Sequence, residues 1–494
     1  MLPNTELMRA VRMFAEHIAT LPPNPDYSSL PPRAYLVGGA VRDILLGRES
    51  KDADMEVYGV SAERLHETLE SLYPGCVNTI GKQFAVLHIT LREGMGIDVA
   101  LPRREIKTGE GHTDFDIAGD PMMTVEEAAR RRDFTINAIL IDPLTGDMID
   151  PYDGAIDVKK HILRVVDEKT FIEDPLRVYR AVQFVARFHL TVEKTTKNLL
   201  KRMVEQGELD HLPKERVTEE LRKLFTKSEM PSLGLECAKE LGIIDREYPE
   251  LARLESTDQD PAWHPEGNVW IHTLMSIDVA TEIIRDPSRE FSDEHKRHIV
   301  LATLCHDLGK PETTEYINEH LRARGHEAAG EAPTRALLSR WSFSDADTEA
   351  TVRLVIDHLK PAELVQEYEK GRMDERAFGN ALRRLMKRLQ PATLQELLAV
   401  YESDSRGRTG HAIKRKAHAD TIRETIFRTL ESQQIDEASL KPLLSGSDLI
   451  ALGLEPGIQF GELIHAVEAL RDEGKISTKE EALKFVHEEI KESD

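Results

Sequence analysis

Hydrophobic periodicity changes once along the chain, near residue 155, and that change limits the fold more than any other feature. Before it, Tyr35-Leu36-Val37 and alternating stretches around 52–58, 84–91 and 96–101 read as strands of one mixed sheet. An amphipathic helix is expected over 5–21, ended at Pro22-Pro23, and another from Val41 to Leu46. After residue 155, apolar residues recur at helical spacing through 174–187, 195–206, 215–226 and 271–285. At 494 residues the chain exceeds what one core supports. Loops rich in Pro, Asp and Gly around 255–268 and a charged stretch near 405–418 mark boundaries. The predicted fold class is α+β multidomain. It comprises a small mixed-sheet head over 1–155, a helical neck over 156–228, a helical linker over 229–262, a domain over 263–405 and a helical tail over 406–494.

Charge narrows the partners less than periodicity narrows the fold. A net charge of −23 argues against non-specific nucleic-acid binding, because phosphates are repelled at long range. It leaves room for a local basic groove, since 65 Lys and Arg residues include the runs Arg130-Arg131-Arg132 and Lys414-Arg415-Lys416. Cys76, Cys237 and Cys305 lack metal-type spacing and suit a reducing compartment. No apolar run reaches membrane-spanning length, and Met1 to Ala19 lacks a signal-peptide pattern. A cytoplasmic location without membrane attachment is expected.

The head carries the most informative residues. Gly38-Gly39 lies between a strand and a helix in the run Gly38-Gly39-Ala40-Val41-Arg42-Asp43, with Leu45 and Gly47 following. Paired glycines there let the backbone approach a ligand, and a helix start suits a triphosphate. Arg42 adds a candidate charge-assisted bond to the same phosphates. Asp52 and Asp54 are two residues apart, so on a strand both project from one face. Two such carboxylates repel one another unless a cation neutralises them, and hard divalent metals prefer oxygen. Mg²⁺ held there is the usual centre for in-line nucleotidyl transfer. A third acid would complete it: Asp98 on a neighbouring strand or Glu56 on the same face. Arg103, which opens the next charged segment, joins the catalytic candidates.

Further along, Arg131-Arg132-Asp133-Phe134-Thr135-Ile136-Asn137 reads equally as a charged helix end. In Glu173-Asp174-Pro175-Leu176-Arg177-Val178-Tyr179-Arg180, Pro175 fits a first helical turn with Asp174 as its N-cap. Asp174 and Arg177 then form either an ordinary i,i+3 pair or an acceptor beside donors. Cytosine and adenine offer an amino donor beside a ring-nitrogen acceptor, and uracil and guanine the reverse. One Asp/Arg pair can therefore accept C and A without a nucleic-acid template. Between these motifs, Arg103 to His112 is expected to be a mobile loop or a plain surface one.

The glycine turn and Asp52-Ala53-Asp54 resemble the nucleotidyltransferase superfamily that contains polymerase-β-like enzymes. The longer run from Gly38 to Gly47 resembles, more narrowly, the class II CCA-adding enzymes and bacterial poly(A) polymerases. That resemblance implies that Arg131, Arg132, Asp133 and Asn137 contact nucleotide sugar and phosphates. It also gives Asp174 and Arg177 the base-reading role, with Arg180 one turn further on the same face. A flexible element over 103–112 implies a switch from C to A.

His272, His306-Asp307-Leu308-Gly309-Lys310, Gly325-His326 and Asp357-His358 resemble the HD phosphohydrolase superfamily, which places the chain with the HD-containing subgroup. The implied ligands of a divalent metal are His272, His306, Asp307 and Asp357, with His326 and His358 as second-metal or phosphate contacts and Lys310 facing substrate phosphate. Gly446 to Gly457 and Gly474-Lys475-Ile476 resemble the subgroup's C-terminal module, which implies contact with tRNA. A helical oligomerisation module is the alternative. The function expected is addition of CCA, or its terminal A, to tRNA from CTP and ATP, with an accessory HD hydrolase. Poly(A) polymerase and a catalytically inactive RNA-binding regulator are the alternatives.

Overall fold

The computed structural model describes residues 2–493 except 25–29, 81–85, 93, 108–114, 410–411, 437–439, 441, 455, 473–474 and 477. The chain divides into two compact units, Met1–Arg216 with Glu240–Gly242, and Val217–Lys239 with Ile243–Asp494.

The first unit is built on a seven-stranded mixed sheet. Its strands come from β1 (Arg33–Val37), β2 (Asp52–Tyr58), β3 (Val77–Ile80), β4 (Val86–Arg92) and β5 (Met95–Ala100). A separate hairpin, β6 (Arg103–Lys107) with β7 (Phe115–Gly119), precedes the last two sheet strands, β8 (Leu140–Ile141) and β9 (Met148–Ile149). The order across the sheet is β3-β4-β5-β2-β1-β8-β9. Only the central pair β2–β5 runs parallel.

Alternation decides which face of β2 is which. Ala53, Met55 and Val57 are buried, whereas Asp52, Asp54 and Glu56 take the opposite face. The helix Glu6–Thr20 covers the sheet with Leu7, Val11, Phe14 and Ile18, and Thr5 caps its start by accepting from the Met8 amide. Behind the head, the helix Arg177–Phe188 buries Val178, Val182, Val185 and Phe188. Phe134 sits between Phe171 and Phe184 at ring distances of 5.5 and 5.7 Å, locking the end of the head onto that helix.

The expected helix 174–187 therefore begins later, at Arg177, with Leu176 at the cap position. Asp174 Oδ1 accepts from the Leu176 amide at 3.3 Å, a local turn that precedes the helix. The expected loop from 103 differs too: Arg103–Lys107 is strand β6, and 108–112 lie outside the described residues.

Among the described residues, the regular structure of the second unit is helical apart from one hairpin. Val269–Arg285, Asp293–Cys305, Asp345–Asp357 and Leu394–Arg406 pack together. Their buried faces include Ile277, Ile299, Val300, Val352, Val355, Leu397 and Val400. The helix Ala412–Ser432 packs on Leu394–Arg406 and buries Ile422 and Ile426. Leu444, Leu449, Leu463, Val467, Ile476, Ala482 and Val486 form a further small core near the C-terminus. Among the described residues, no helix is long and apolar enough to cross a membrane.

Candidate active sites

In the first unit the strand register gathers the acids. Asp54 on β2 lies directly opposite Asp98 on β5, and Val37, which leads into the glycine turn, lies opposite Asp54 on the other side. Gly38 takes φ +66°, where a side chain would be strained. A Cβ there would also meet Arg132 Nη1 at 3.0 Å and Asp54 Oδ2 at 3.4 Å. Glycine thus brings bare backbone to the carboxylate that the register has already placed. Burial raises the pKa of Asp54; Arg132 opposes this, and the charges of Asp98 and Asp52 add to the rise. Such a repelled, partly desolvated carboxylate, still open to the cleft, fits a cation.

Asp98 and Glu56 have different neighbours. His88 Nδ1 lies 2.6 Å from Asp98 Oδ1. Gly96 makes space for that imidazole, because a Cβ there would stand 2.5 Å from His88 Cε1. Glu56 accepts from the Tyr58 hydroxyl at 2.8 Å and from Arg132 Nη2 at 3.2 Å, so its carboxylate is already spent on protein donors. Asp54, Glu56, Asp98, Arg103, Arg131 and Arg132 line a cleft of about 390 Å³. It joins acids on the sheet face to three guanidinium-bearing side chains, the charge pattern that metal-bound triphosphate requires.

The other expected nucleotide contacts fall into two groups. Arg42, Asn137 and Asp133 form a buried chain that ends at the partly exposed Arg180: Arg42 Nη1 donates to Asn137 Oδ1 at 2.7 Å, Asn137 Nδ2 to Asp133 Oδ1 at 3.0 Å, and Arg180 Nε to Asp133 Oδ2 at 2.8 Å. Burial alone would raise the Asp133 pKa; Arg180 and these hydrogen bonds outweigh it and hold the carboxyl below its usual range. Arg42 also donates to Asp43 at 2.7 Å and lies over the Phe188 ring at 4.1 Å. Its side chain is 5% exposed, so it acts as a strut behind the glycine turn, not as the phosphate-facing arm expected from sequence. The Arg177 amide donates to the Asp174 carbonyl at 3.0 Å, but their side chains take other partners. Asp174 Oδ2 meets Arg216 Nη2 at 3.0 Å, whereas Arg177 donates to the carbonyls of Thr170 at 2.7 Å and Arg131 at 2.9 Å.

The second unit holds a denser cluster. His272 Nε2 lies 3.3 Å from His306 Nε2 and 3.0 Å from Asp404 Oδ1, and Asp307 Oδ2 lies 3.2 Å from His306 Nε2. His326 Nε2 approaches Asp307 Oδ1 at 3.4 Å, and the His358 ring stands 5.3 Å from those of His306 and His326. The outer nitrogens are already satisfied. His306, His326 and His358 place Nδ1 2.7 Å from the carbonyls of Thr303, Ala323 and Val355, and His272 places Nδ1 3.0 Å from Glu266 Oε1. Each imidazole therefore turns Nε2 inward, the orientation a metal-binding histidine needs.

Asp307 is the test of fit. Both its oxygens are buried with no hydrogen bond of acceptable geometry, although the Lys310 ammonium lies 2.7 Å from Oδ2. A buried carboxylate without a hydrogen bond, set among inward-facing imidazoles, suits a divalent cation. The sets His272, His306, Asp307 and Asp307, His326, His358 each bring their ligand atoms within 4.8 Å. Burial, with the neighbouring His306 and His326, holds His358 neutral, its pKa pulled down to about 3.

Asp357 is not in this cluster. Arg388 Nε donates to its Oδ2 at 2.9 Å, and Asp357 is in none of the groups that bring metal-type ligand atoms together among the described residues. The late acid is Asp404, buried, held by Arg408 Nη2 at 2.9 Å and far below its usual pKa range: burial works against this, and Arg408 and His272 outweigh it. In the sequence Asp404 opens the run Asp404-Ser405-Arg406-Gly407-Arg408 that closes this region, but Asp357 and not Asp404 was the expected ligand. Sequence reading missed Glu266 as well, whose carboxylate orients both His272 and His264.

An acid-bearing mixed sheet with a glycine turn, in one chain with a buried histidine–aspartate cluster, defines a nucleotidyltransferase-type head combined with an HD-type domain. Comparison with known proteins agrees. Residues 34–164 match the poly A polymerase head domain, 189–254 the probable RNA and SrmB- binding site of polymerase A, and 269–396 the HD domain. The multifunctional CCA protein of Laribacter hongkongensis is 35% identical over 381 residues, 77% of this chain and 86% of that protein. That of Xanthomonas oryzae pv. oryzae is 34% identical over 425 residues, covering 83% and 96%. The chain belongs to the multifunctional CCA protein family. Solved structures share its fold: the Bacillus stearothermophilus CCA-adding enzyme in complex with CTP (TM-score 0.64, 19% identity, 99% of each chain) and the Thermotoga maritima CCA-adding enzyme complexed with tRNA (TM-score 0.54, 20% identity, 99% and 96%).

Proposed function

We infer that this chain adds CCA to tRNA 3′ ends from CTP and ATP, and that its HD site hydrolyses phosphoesters. The observation that carries the first part is the register of Asp54 opposite Asp98, with Asp52 on the same strand face, beside Arg103, Arg131 and Arg132. Asp52, Asp54 and Asp98 would hold Mg²⁺, which when bound lowers the charge barrier at the entering and leaving oxygens. The tRNA 3′-OH attacks the α-phosphorus, the bond to the β-phosphate oxygen breaks, and pyrophosphate leaves. Arg131 and Arg132 draw the triphosphate to the cleft wall, while Glu56 fixes the Arg132 guanidinium. Gly38 and Gly39 keep that approach free of side chains.

Base choice is assigned to Asp174 and Arg177. Asp174 would exchange Arg216 for the amino group of C or A, and Arg177 would donate to the adjacent ring nitrogen. The neck and the C-terminal module are assigned to tRNA contact, supported by the match over 189–254 to an RNA-binding family model. At the HD site, His272, His306, Asp307 and Asp404 would hold a divalent metal, with His326 and His358 open to a second. Water adds to phosphorus there, and the ester oxygen leaves as an alcohol. Three free cysteines support a reducing, cytoplasmic setting.

The test is extension of a tRNA transcript ending at the discriminator base with single nucleotides. CTP alone should add two residues, ATP alone none, and both together three. Incorporation of ATP only, on any RNA, would make the chain a poly(A) polymerase. Extension only of transcripts already ending in CC would make it an A-adding enzyme, and no extension at all would leave an RNA-binding protein.

A further inference from the structure

The cleft at the HD cluster, about 350 Å³, has walls whose chemistry the cluster itself does not use. One wall is the segment from Asp258 to His264. The other is the hairpin Thr314–Ile317 with His320–Ala323, continued by Arg324. The two are tied together. Asp260 Oδ2 lies 2.7 Å from His320 Nδ1, and Lys310 Nζ donates to Gln259 Oε1 at 2.6 Å. The Asp260 carbonyl accepts from the amides of Trp263 at 3.0 Å and His264 at 2.8 Å, which fixes the turn between them.

That turn separates two neighbours. His264 faces inward, its ring 4.8 Å from His272. Trp263 stands at the cleft rim with 62% of its surface in solvent, while Trp270 and Trp341 are 5% and 2% exposed. A large flat apolar ring left in water beside a polar cleft marks a recognition surface. The hairpin supplies Arg322 and Arg324, both exposed and neither in an ion pair among the described residues. From floor to rim the cleft therefore runs from metal-type ligands, through the cations of Lys310, Arg322 and Arg324, to an aromatic face. Phosphate suits the first two layers and a nucleobase the third.

We propose that Trp263 is a specificity-determining residue of the HD cleft, stacking on the base of a nucleoside phosphoester whose phosphate faces the histidine–aspartate cluster. The proposal rests on the phosphohydrolase reading of that cluster. It gives the cleft a preference for nucleotide ends over phosphoesters without a planar ring, because stacking is open to every base and absent for glycerol or ribose.

The full-length protein with Mn²⁺ is assayed on adenosine 2′,3′-cyclic phosphate and on glycerol 2-phosphate, as wild type, Trp263→Ala and Trp263→Phe. Trp263→Ala should raise KM for the adenosine ester about tenfold with little change in kcat, and Trp263→Phe should restore most of the loss. Kinetics on glycerol 2-phosphate should not move. In parallel, AMP should quench the tryptophan emission of the wild type, ribose 5-phosphate should not, and the quench should vanish in Trp263→Phe. Equal effects of Trp263→Ala on both esters, no effect on either, or equal quenching by AMP and ribose 5-phosphate would overturn the proposal. Failure of the wild type to hydrolyse either ester removes the phosphohydrolase reading, and the quenching result then decides the stacking by itself.

Discussion

Asp357 and Asp404 are both buried acids near the HD histidines, yet their surroundings give their loss opposite consequences. Asp404 Oδ1 lies 3.0 Å from His272 Nε2, whereas Asp357 is held by Arg388. Asp404→Ala should lower divalent-metal content, read by elemental analysis of the purified protein, by at least about tenfold. Asp357→Ala should keep the metal and lose about 1–3 kcal/mol of stability in thermal melts, as the Arg388 pair is lost. Metal retained in Asp404→Ala would remove Asp404 from the ligand set. In the head, Asp54→Ala should cut nucleotide addition about 10³-fold, the scale of several kcal/mol of charge stabilisation. Asp98 and Glu56 were both legible as third acids, since each occupies a face that strand alternation allows. Of what distinguishes their surroundings, the Tyr58 bond to Glu56 spans only two residues of one strand, whereas Arg132 bonds to Glu56 from 76 positions away, a contact that no local spacing encodes. The same holds for Arg42, whose partner Asn137 lies 95 positions away.

Elements with strong periodicity were read closely, as β2 at Asp52–Tyr58 and the helix Val269–Arg285 illustrate. Those set by turn chemistry were not. The hairpin Thr314–Ile317 with His320–Ala323 turns at Asn318 and Glu319, both in the left-handed region at φ 49° and 64°. Glycine is the expected residue at the second of those positions, and Glu319 hides the signal. Helix pinning in the second unit gives a pH prediction. His298 Nδ1 lies 2.8 Å from Glu396 and Nε2 3.1 Å from Asp347, while Glu396 also closes the capping box of Leu394–Arg406 with Thr393. Burial opposes the imidazolium, but the two carboxylates outweigh it and push its pKa up to about 9. The folded pKa lies above the unfolded value of about 6.5, so the stabilisation is complete below that pH and is lost as pH rises through about 9. Its size is on the order of 3 kcal/mol. Melting temperature of the second unit should fall between pH 6.5 and 9.5, and His298→Leu should flatten that slope. An unchanged slope in the variant would assign the pH dependence elsewhere.

At the scale of the whole molecule, a negatively charged chain carries two candidate active sites, one in each compact unit. The order of head, helical region and HD cluster was legible because each has its own periodicity or residue set. The path of the C-terminal region was less so, since Ala412–Ser432 packs on the HD helices while residues 444–486 close a core of their own. Because the two candidate sites share no side chain, each should fail alone. The most direct test measures both activities in wild type, Asp54→Ala and Asp404→Ala: completion of CCA on a tRNA transcript, and hydrolysis of adenosine 2′,3′-cyclic phosphate. Asp54→Ala should lose tRNA extension and keep hydrolysis, and Asp404→Ala should do the reverse. Full tRNA extension by Asp54→Ala would remove the sheet carboxylates from nucleotide addition.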